Sequence, residues 1–168
     1  MDNNFTRDCL DIHLDDEAAT LAFGKQLANA IEPGLVLYLH GDLGAGKTTL
    51  VRGLLHALGY AGKVKSPTYT LVENYKIEQA LSVLNLYHFD LYRFNDDEEW
   101  EAAGFRDYFN AESVCLIEWP EKAEKVLPLP DINITFTILV TGRKVTLDAP
   151  TRHGSECLTQ VMKEISSR

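Results

Sequence analysis

Gly41-Asp42-Leu43-Gly44-Ala45-Gly46-Lys47-Thr48-Thr49 fills every position of the phosphate-binding pattern G-x-x-x-x-G-K-[ST]. Before it, Pro33-Gly34 signals a turn, and residues 35–40, Leu-Val-Leu-Tyr-Leu-His, form the short apolar run of a strand buried on both faces. After it, Leu50, Val51, Leu54, Leu55 and Leu58 recur at helical spacing up to Gly59, a helix-ending glycine. Strand, glycine loop and helix, in that order, are what phosphate binding requires. Glycines let backbone N–H groups crowd around phosphate oxygens, and the helix N-terminus brings its partial positive charge to the same place. In such a loop Lys47 reaches the terminal phosphates and the Thr48 hydroxyl ligates magnesium.

Outward from the loop, Leu10, Ile12 and Leu14 alternate as a half-buried strand. Asp15-Asp16-Glu17 then introduces a helix with Leu21, Gly24, Leu27, Ala28 and Ile31 on one side. Residues 68–77 read as extended, 84–91 as a return strand and 78–80 as the turn between them, giving an antiparallel hairpin. A helix is expected over 96–103, ended by Gly104, then a buried strand over 114–118, with Pro120 opening a helical turn. Ile132, Ile134, Phe136, Ile138 and Val140 alternate, Gly142-Arg143 turns, and Val145 and Leu147 return. A last helix is expected over about 155–166. The fold class implied is α/β, a P-loop NTPase-like three-layer sandwich with a mostly parallel central sheet and antiparallel hairpin additions.

At 168 residues, without a Pro/Gly/Ser-rich linker, the chain is expected to form a single domain over 1–168. Residues 1–10 carry neither a basic leader nor an apolar core, and no apolar run reaches membrane-spanning length, so a cytoplasmic protein with no membrane partner is expected. Cys9, Cys115 and Cys157 are far apart and form no C-x-x-C pair. The formal net charge of −9 argues against a broad surface for nucleic acid, because phosphate neutralisation demands clustered Lys and Arg. The run Asp96-Asp97-Glu98-Glu99 reads as the first turn of a solvated helix, with a docking patch for a basic partner as the alternative.

Hydrolysis or phosphoryl transfer also needs magnesium held in place and an attacking group in line. Three stretches offer such groups. Val114-Cys115-Leu116-Ile117-Glu118 is four apolar residues ending in a carboxylate at a strand's carboxyl end, where open α/β sheets bind ligands. Glu118 is thus a candidate to ligate magnesium or to orient water. In His88-Phe89-Asp90-Leu91-Tyr92-Arg93, period-two geometry puts His88, Asp90 and Tyr92 on one face. Asp90 is a second magnesium candidate, with His88 as a core histidine orienting it and Arg93 a phosphate or carboxylate contact; zinc on His88 and Asp90 lacks further ligands. Ser66-Pro67-Thr68 either begins a strand or offers a switch hydroxyl at Thr68.

The motifs at 41–49, 66–73 (Ser-Pro-Thr-Tyr-Thr-Leu-Val-Glu), 88–93 and 117–121 (Ile-Glu-Trp-Pro-Glu) together closely resemble the bacterial TsaE family. The resemblance implies an ATPase required, with TsaB and TsaD proteins, for the threonylcarbamoyl group on N6 of adenosine 37 in tRNAs reading codons that begin with A. It implies docking on the TsaB/TsaD complex, ATP hydrolysis that resets the complex between turnovers, and contact with tRNA only indirectly, through the complex. Carried over residue by residue, it implies Asp42, Leu43, Gly44, Ala45, Gly46, Lys47, Thr48 and Thr49 around the phosphates of ATP or ADP. Thr48, Glu118 and Asp90 are implied around Mg²⁺, Thr68 in a switch loop, and Trp119 beside the nucleotide. Glu17, Gly142 and Arg143 match positions near the base or ribose. Lys47, Glu118, Asp90 and Thr68 are the implied catalytic set, in a chain that alone is a slow ATPase and a monomer or weak oligomer.

Two other readings stand beside this one. A small-molecule kinase shares the loop, yet its Arg-bearing lid has no counterpart among arginines scattered from Arg7 to Arg168. A non-catalytic ATP-sensing scaffold would need the loop but not Glu118. No N-K-x-D sequence reads guanine, so adenine nucleotides are expected.

Overall fold

A computed structural model describes residues 8–167; Arg7, Arg168 and the reading of the first residues as free of a leader lie outside that range. Among the described residues seven strands form one mixed sheet: β1 (Asp8–Leu14), β2 (Val36–His40), β3 (Val72–Glu78), β4 (Val83–Asp90), β5 (Ser113–Glu118), β6 (Ile132–Ile138) and β7 (Arg143–Ala149). Four helices accompany them: α1 (Glu17–Ala28), α2 (Lys47–Ala57), α3 (Asp97–Ala102) and α4 (Arg152–Ser166). The strand order is β1-β7-β6-β2-β5-β4-β3. The centre, β6-β2-β5-β4, is parallel. Both edges are antiparallel hairpin additions, β3 on β4 at one side and β7 with β1 at the other.

Alternation of side chains splits the interior into two apolar clusters on opposite faces. Leu37, Leu39, Leu116 and Ile134 meet Phe23, Leu27, Leu50, Leu54 and Leu158 from α1, α2 and α4. On the other face Phe89, Cys115 and Ile117 meet Trp100, Phe105 and Ala123. Trp100 is the residue of α3 that is wholly buried, packed edge-on against Phe105 and tilted against Phe89 and Phe109. The acidic run therefore does begin an exposed helix, pinned from beneath by one aromatic; Asp96 caps it, accepting from the Glu98 N–H at 2.9 Å.

Helices α1 and α2 approach through glycines. A methyl on Gly24 would lie 2.8 Å from the Leu50 carbonyl oxygen, and one on Gly53 would lie 2.6 Å from that of Leu21. Their backbones are thus nearly in contact, which fixes α2 against α1.

Several boundaries differ from the expected ones for local reasons. The stretch 68–71 is a turn, and the strand begins only at Val72. Leu71 adopts φ 67°, its N–H donates to the Pro67 carbonyl at 2.8 Å, and its carbonyl accepts from the Asp90 N–H at 2.9 Å. The alternation through Val140 overruns the strand, which stops at Ile138 and leaves Val140 fully exposed. Pro120 opens a 3-10 turn over Pro120–Ala123 rather than an α-helix. The last helix begins at Arg152, because Thr151 supplies its N-cap, accepting from the Gly154 N–H at 3.0 Å.

Candidate functional site

The carboxyl ends of three parallel strands converge beside the glycine loop. β2 runs directly into residues 41–46, Glu118 ends β5, and Asp90 ends β4 as its register partner. A cavity of about 340 Å³ opens there, lined from the loop by Leu43 through Thr49 and from across it by Asp90, Glu118, Trp119, Thr68, Ser66, Glu17 and Arg143. Of the residues expected at the site, Asp42 and Gly142 do not line it. The Asp42 carbonyl accepts from the Ala45 N–H at 3.1 Å and shapes the loop from within. Gly142, at φ 73°, packs against the backbone of Leu14 and Asp15, and a side chain there would collide with the Leu14 carbonyl. Its part is to let the hairpin turn deliver Arg143, whose Nη1 donates to the Ala45 carbonyl at 3.0 Å and lies over Gly46.

Helix α2 starts differently from the other three. Asp16, Asp96 and Thr151 side chains cap α1, α3 and α4, whereas α2 has Gly46 at its N-cap, φ 111°, with no side-chain cap among the described residues. Its first N–H groups have no intrahelical partner and face the cavity, as an anion requires. Lys47 is buried, donates to the Gly41 carbonyl, and places its ammonium 3.8 Å from the centre of the Trp119 ring. Burial pushes the Lys47 pKa below the ordinary lysine value, against the opposing pull of Glu118, Glu121, Asp90 and Asp42. Trp119 is set by a left-handed backbone, φ 58°, and packs against Tyr92 with ring centres 5.0 Å apart.

The two acidic groups are held by different partners. Glu118 accepts from the Thr48 hydroxyl at 3.2 Å and from His88 Nε2 at 2.6 Å. Asp90 accepts from the Ser66 hydroxyl, from Thr68 at 3.3 Å and from the Tyr92 N–H at 3.0 Å. His88 was expected to orient Asp90, and here the structure corrects the expectation. On one strand face His88 and Asp90 are neighbours, but the parallel register carries β5 past β4 so that the imidazole reaches Glu118. Period-two reasoning on a single strand contains no information about that cross-strand partner. Ser66, beside Thr68 in the motif, and the contact of Trp119 with Lys47 are likewise visible only in three dimensions.

The donor set suits magnesium better than zinc. Among the described residues no group of three or more His, Cys, Asp or Glu is placed to hold a metal ion. Magnesium takes one or two carboxylates, a hydroxyl and substrate phosphates rather than a full protein cage, and Thr48 with Glu118 and Asp90 matches that description. Nor does any described helix have the length and apolarity to cross a membrane.

Residues 14–145 match the family model described as Threonylcarbamoyl adenosine biosynthesis protein TsaE. The chain is 47% identical over 152 residues to the Haemophilus influenzae tRNA threonylcarbamoyladenosine biosynthesis protein TsaE, covering 88% of this chain and 94% of the relative. It is 43% identical over 117 residues to the Bacillus subtilis protein of the same name, 70% of each chain. The crystal structure of Bacillus subtilis YdiB superposes with a TM-score of 0.78 at 30% identity, over 95% of this chain and 98% of that one.

Proposed function

The chain belongs to the TsaE family, and from that premise we propose that it is a magnesium-dependent ATPase of P-loop NTPase-like fold, one domain over 1–168, acting in formation of threonylcarbamoyladenosine in tRNA. The observation that carries the ATPase reading is the meeting of Thr48, Glu118 and Lys47 at the uncapped start of α2. A binding module would need only the loop; a carboxylate fixed from two sides against the loop hydroxyl is what hydrolysis needs.

The division of labour follows from the contacts. Backbone N–H groups of residues 43–49 and the Lys47 ammonium hold the phosphates of ATP or ADP and stabilise the charge that gathers there during transfer. Thr48, Glu118 and Asp90 would hold Mg²⁺, which would neutralise phosphate charge when bound. Glu118, restrained by His88, also orients the attacking water, and Trp119 lines that side of the cavity. Ser66 and Thr68, both on Asp90, make 66–71 the segment whose arrangement follows the terminal phosphate. Arg143 steadies the loop at Ala45, and Glu17, paired with Arg52 at 3.6 Å, borders the cavity on the α1 side.

Docking on a TsaB/TsaD complex, cytoplasmic location and resetting of that complex by hydrolysis complete the reading. Single-turnover hydrolysis tests its core: Lys47→Ala and Glu118→Ala should each abolish most ADP formation, and unchanged rates in both would refute the assignment. A small-molecule kinase would instead form ADP only with an acceptor metabolite. Full tRNA modification by Glu118→Gln without hydrolysis would favour the ATP-sensing scaffold.

A further inference from the structure

The layer that covers the sheet opposite α1, α2 and α4 ends at the segment 120–130, and beyond it Thr135 and Thr137 of β6 are exposed. Where that layer stops there is a second cavity of about 340 Å³, sharing no lining residue with the one at the phosphate loop. Its floor is Tyr38 and His40 of β2, both half-buried and on one strand face. Along one side stand Glu121, Glu124 and Leu127, whose spacing of three matches the 3-10 turn that starts at Pro120. Lys122 and Lys125 of the same segment do not line it. The lip is Leu129, 85% exposed and set between Pro128 and Pro130.

The polar atoms of the floor are already engaged. The Tyr38 hydroxyl donates to the Pro128 carbonyl, and His40 Nε2 lies 2.8 Å from Asn133 Oδ1. Glu121 and Glu124, by contrast, are exposed and have no ion-pair partner among the described residues. Burial and the nearby charge of Glu124 both push the Tyr38 pKa above the ordinary tyrosine value, so that carboxylate bears on the cavity floor.

We propose that this cavity receives an arginine side chain from a segment of a partner protein, with the guanidinium on Glu121 and Glu124 and an apolar neighbour against Leu127 and Leu129. Two unpaired carboxylates with no lysine or arginine in the lining call for a positive group, and side by side they suit a donor with several N–H groups in one plane. An aromatic floor and apolar walls take the methylene stem of that side chain and favour arginine over a small hydrated ion. Leu129 carries the apolar surface out past the rim, which a docked chain segment covers and an enclosed metabolite does not. Prolines on either side fix the backbone of the lip in advance, so less ordering accompanies docking. His40 directly precedes Gly41, whose carbonyl accepts from Lys47, so a partner held here abuts the entry to the phosphate loop.

The test is NMR titration of the isotopically labelled full chain with the peptide acetyl-Leu-Arg-Leu-amide, and with the same peptide carrying citrulline, which has the shape of arginine without its charge. The arginine peptide should shift the amides of Tyr38, His40, Glu124 and Leu129 in a saturable way, and citrulline should weaken binding about tenfold or more. Glu121→Gln/Glu124→Gln should weaken it as much, whereas Glu98→Gln/Glu99→Gln on α3, with the same change in net charge, should not. Absence of these shifts, equal affinity for the citrulline peptide, equal affinity in the Glu121/Glu124 variant, or an equal loss in the α3 variant would overturn the proposal. Agmatine binding as tightly as the peptide would make the cavity a metabolite site and overturn it too. So would self-association of the chain, seen by sedimentation and abolished by Leu129→Ser, which would give the lip to a second copy.

Discussion

His88 Nε2 lies 2.6 Å from Glu118 Oε2, with the imidazole wholly buried and its Nδ1 without a hydrogen-bond partner among the described residues. A buried polar atom left unpaired carries a cost, and the fold accepts it to direct the other nitrogen at the carboxylate. Glu118 is thereby fixed from one side by His88 and from the other by Thr48.

Removing that restraint should affect turnover more than binding. A hydrogen bond to a charged group contributes about 1.5–3 kcal/mol, so His88→Ala is expected to lower kcat by roughly 10- to 100-fold with KM for ATP little altered. His88→Asn, which keeps a donor, should recover part of the rate. Thermal melting run beside the kinetics separates lost stability from lost positioning, and an unchanged kcat in a folded His88→Ala protein would disprove the role.

Lys47 gives the site a pH dependence. Its ammonium is held below the ordinary lysine value by burial, and phosphate oxygens favour the charged form. As pH rises through the lowered pKa of the free protein, binding must take up a proton and ATP affinity falls, by up to about tenfold per unit. Calorimetric titrations across alkaline pH should show that decline. Lys47→Arg, charged throughout, should flatten it, whatever its absolute affinity.

Trp119 should report the nucleotide. Its ring faces the Lys47 ammonium, while the other tryptophan, Trp100, is wholly buried inside the apolar cluster on whose edge Trp119 packs. ATP drawing the ammonium onto phosphate should change the fluorescence of Trp119 alone, and Trp119→Phe should abolish the signal. Cation–π contacts are worth about 0.5–2 kcal/mol, so Trp119→Ala should alter ATP affinity by at most about 30-fold.

The contact between α1 and α2 leaves no room for a methyl group. Gly24→Ala or Gly53→Ala would push into backbone atoms of the facing helix, and overpacking of this kind costs about 1–3 kcal/mol. Each variant should melt several degrees lower than wild type. A melting temperature equal to wild type in both would show that the helices can separate freely.

The cysteines should divide into one reactive and two inert thiols. Cys9 is exposed on β1, whereas burial pushes Cys115 and Cys157 up to about 12. A thiol-specific chromogenic reagent should modify one cysteine rapidly in the native protein and the remaining two only on unfolding. Rapid reaction of all three would contradict the packing on both faces of the sheet.

The sequence by itself determined the local chemistry. Residues 35–58 spell strand, glycine loop and helix, because burial on both strand faces, helical spacing and the need for small residues around phosphate all act over neighbouring positions. Alternation likewise disclosed the hairpin over 132–147, β-favouring composition the one over 68–91, and four ordered motifs disclosed the family. What runs through space was not legible. Nothing in 88–93 or 114–118 says that β4 and β5 are parallel neighbours, so the pairing of His88 with Glu118 rather than Asp90 came only from the register that aligns Asp90 with Glu118. Residues 68–71 read as the start of a strand because Thr and Tyr favour extended backbone, yet they form a turn. Bonds from Ser66 and Thr68 to a carboxylate 22 or more residues away overrode that preference. Arg143 arrived at the phosphate loop by the same means, delivered from the far hairpin because β6 pairs with β2 and ends beside the loop. Local patterns are written along the chain, whereas the partners of a charged group depend on strand order, and strand order is decided by how apolar faces pack together.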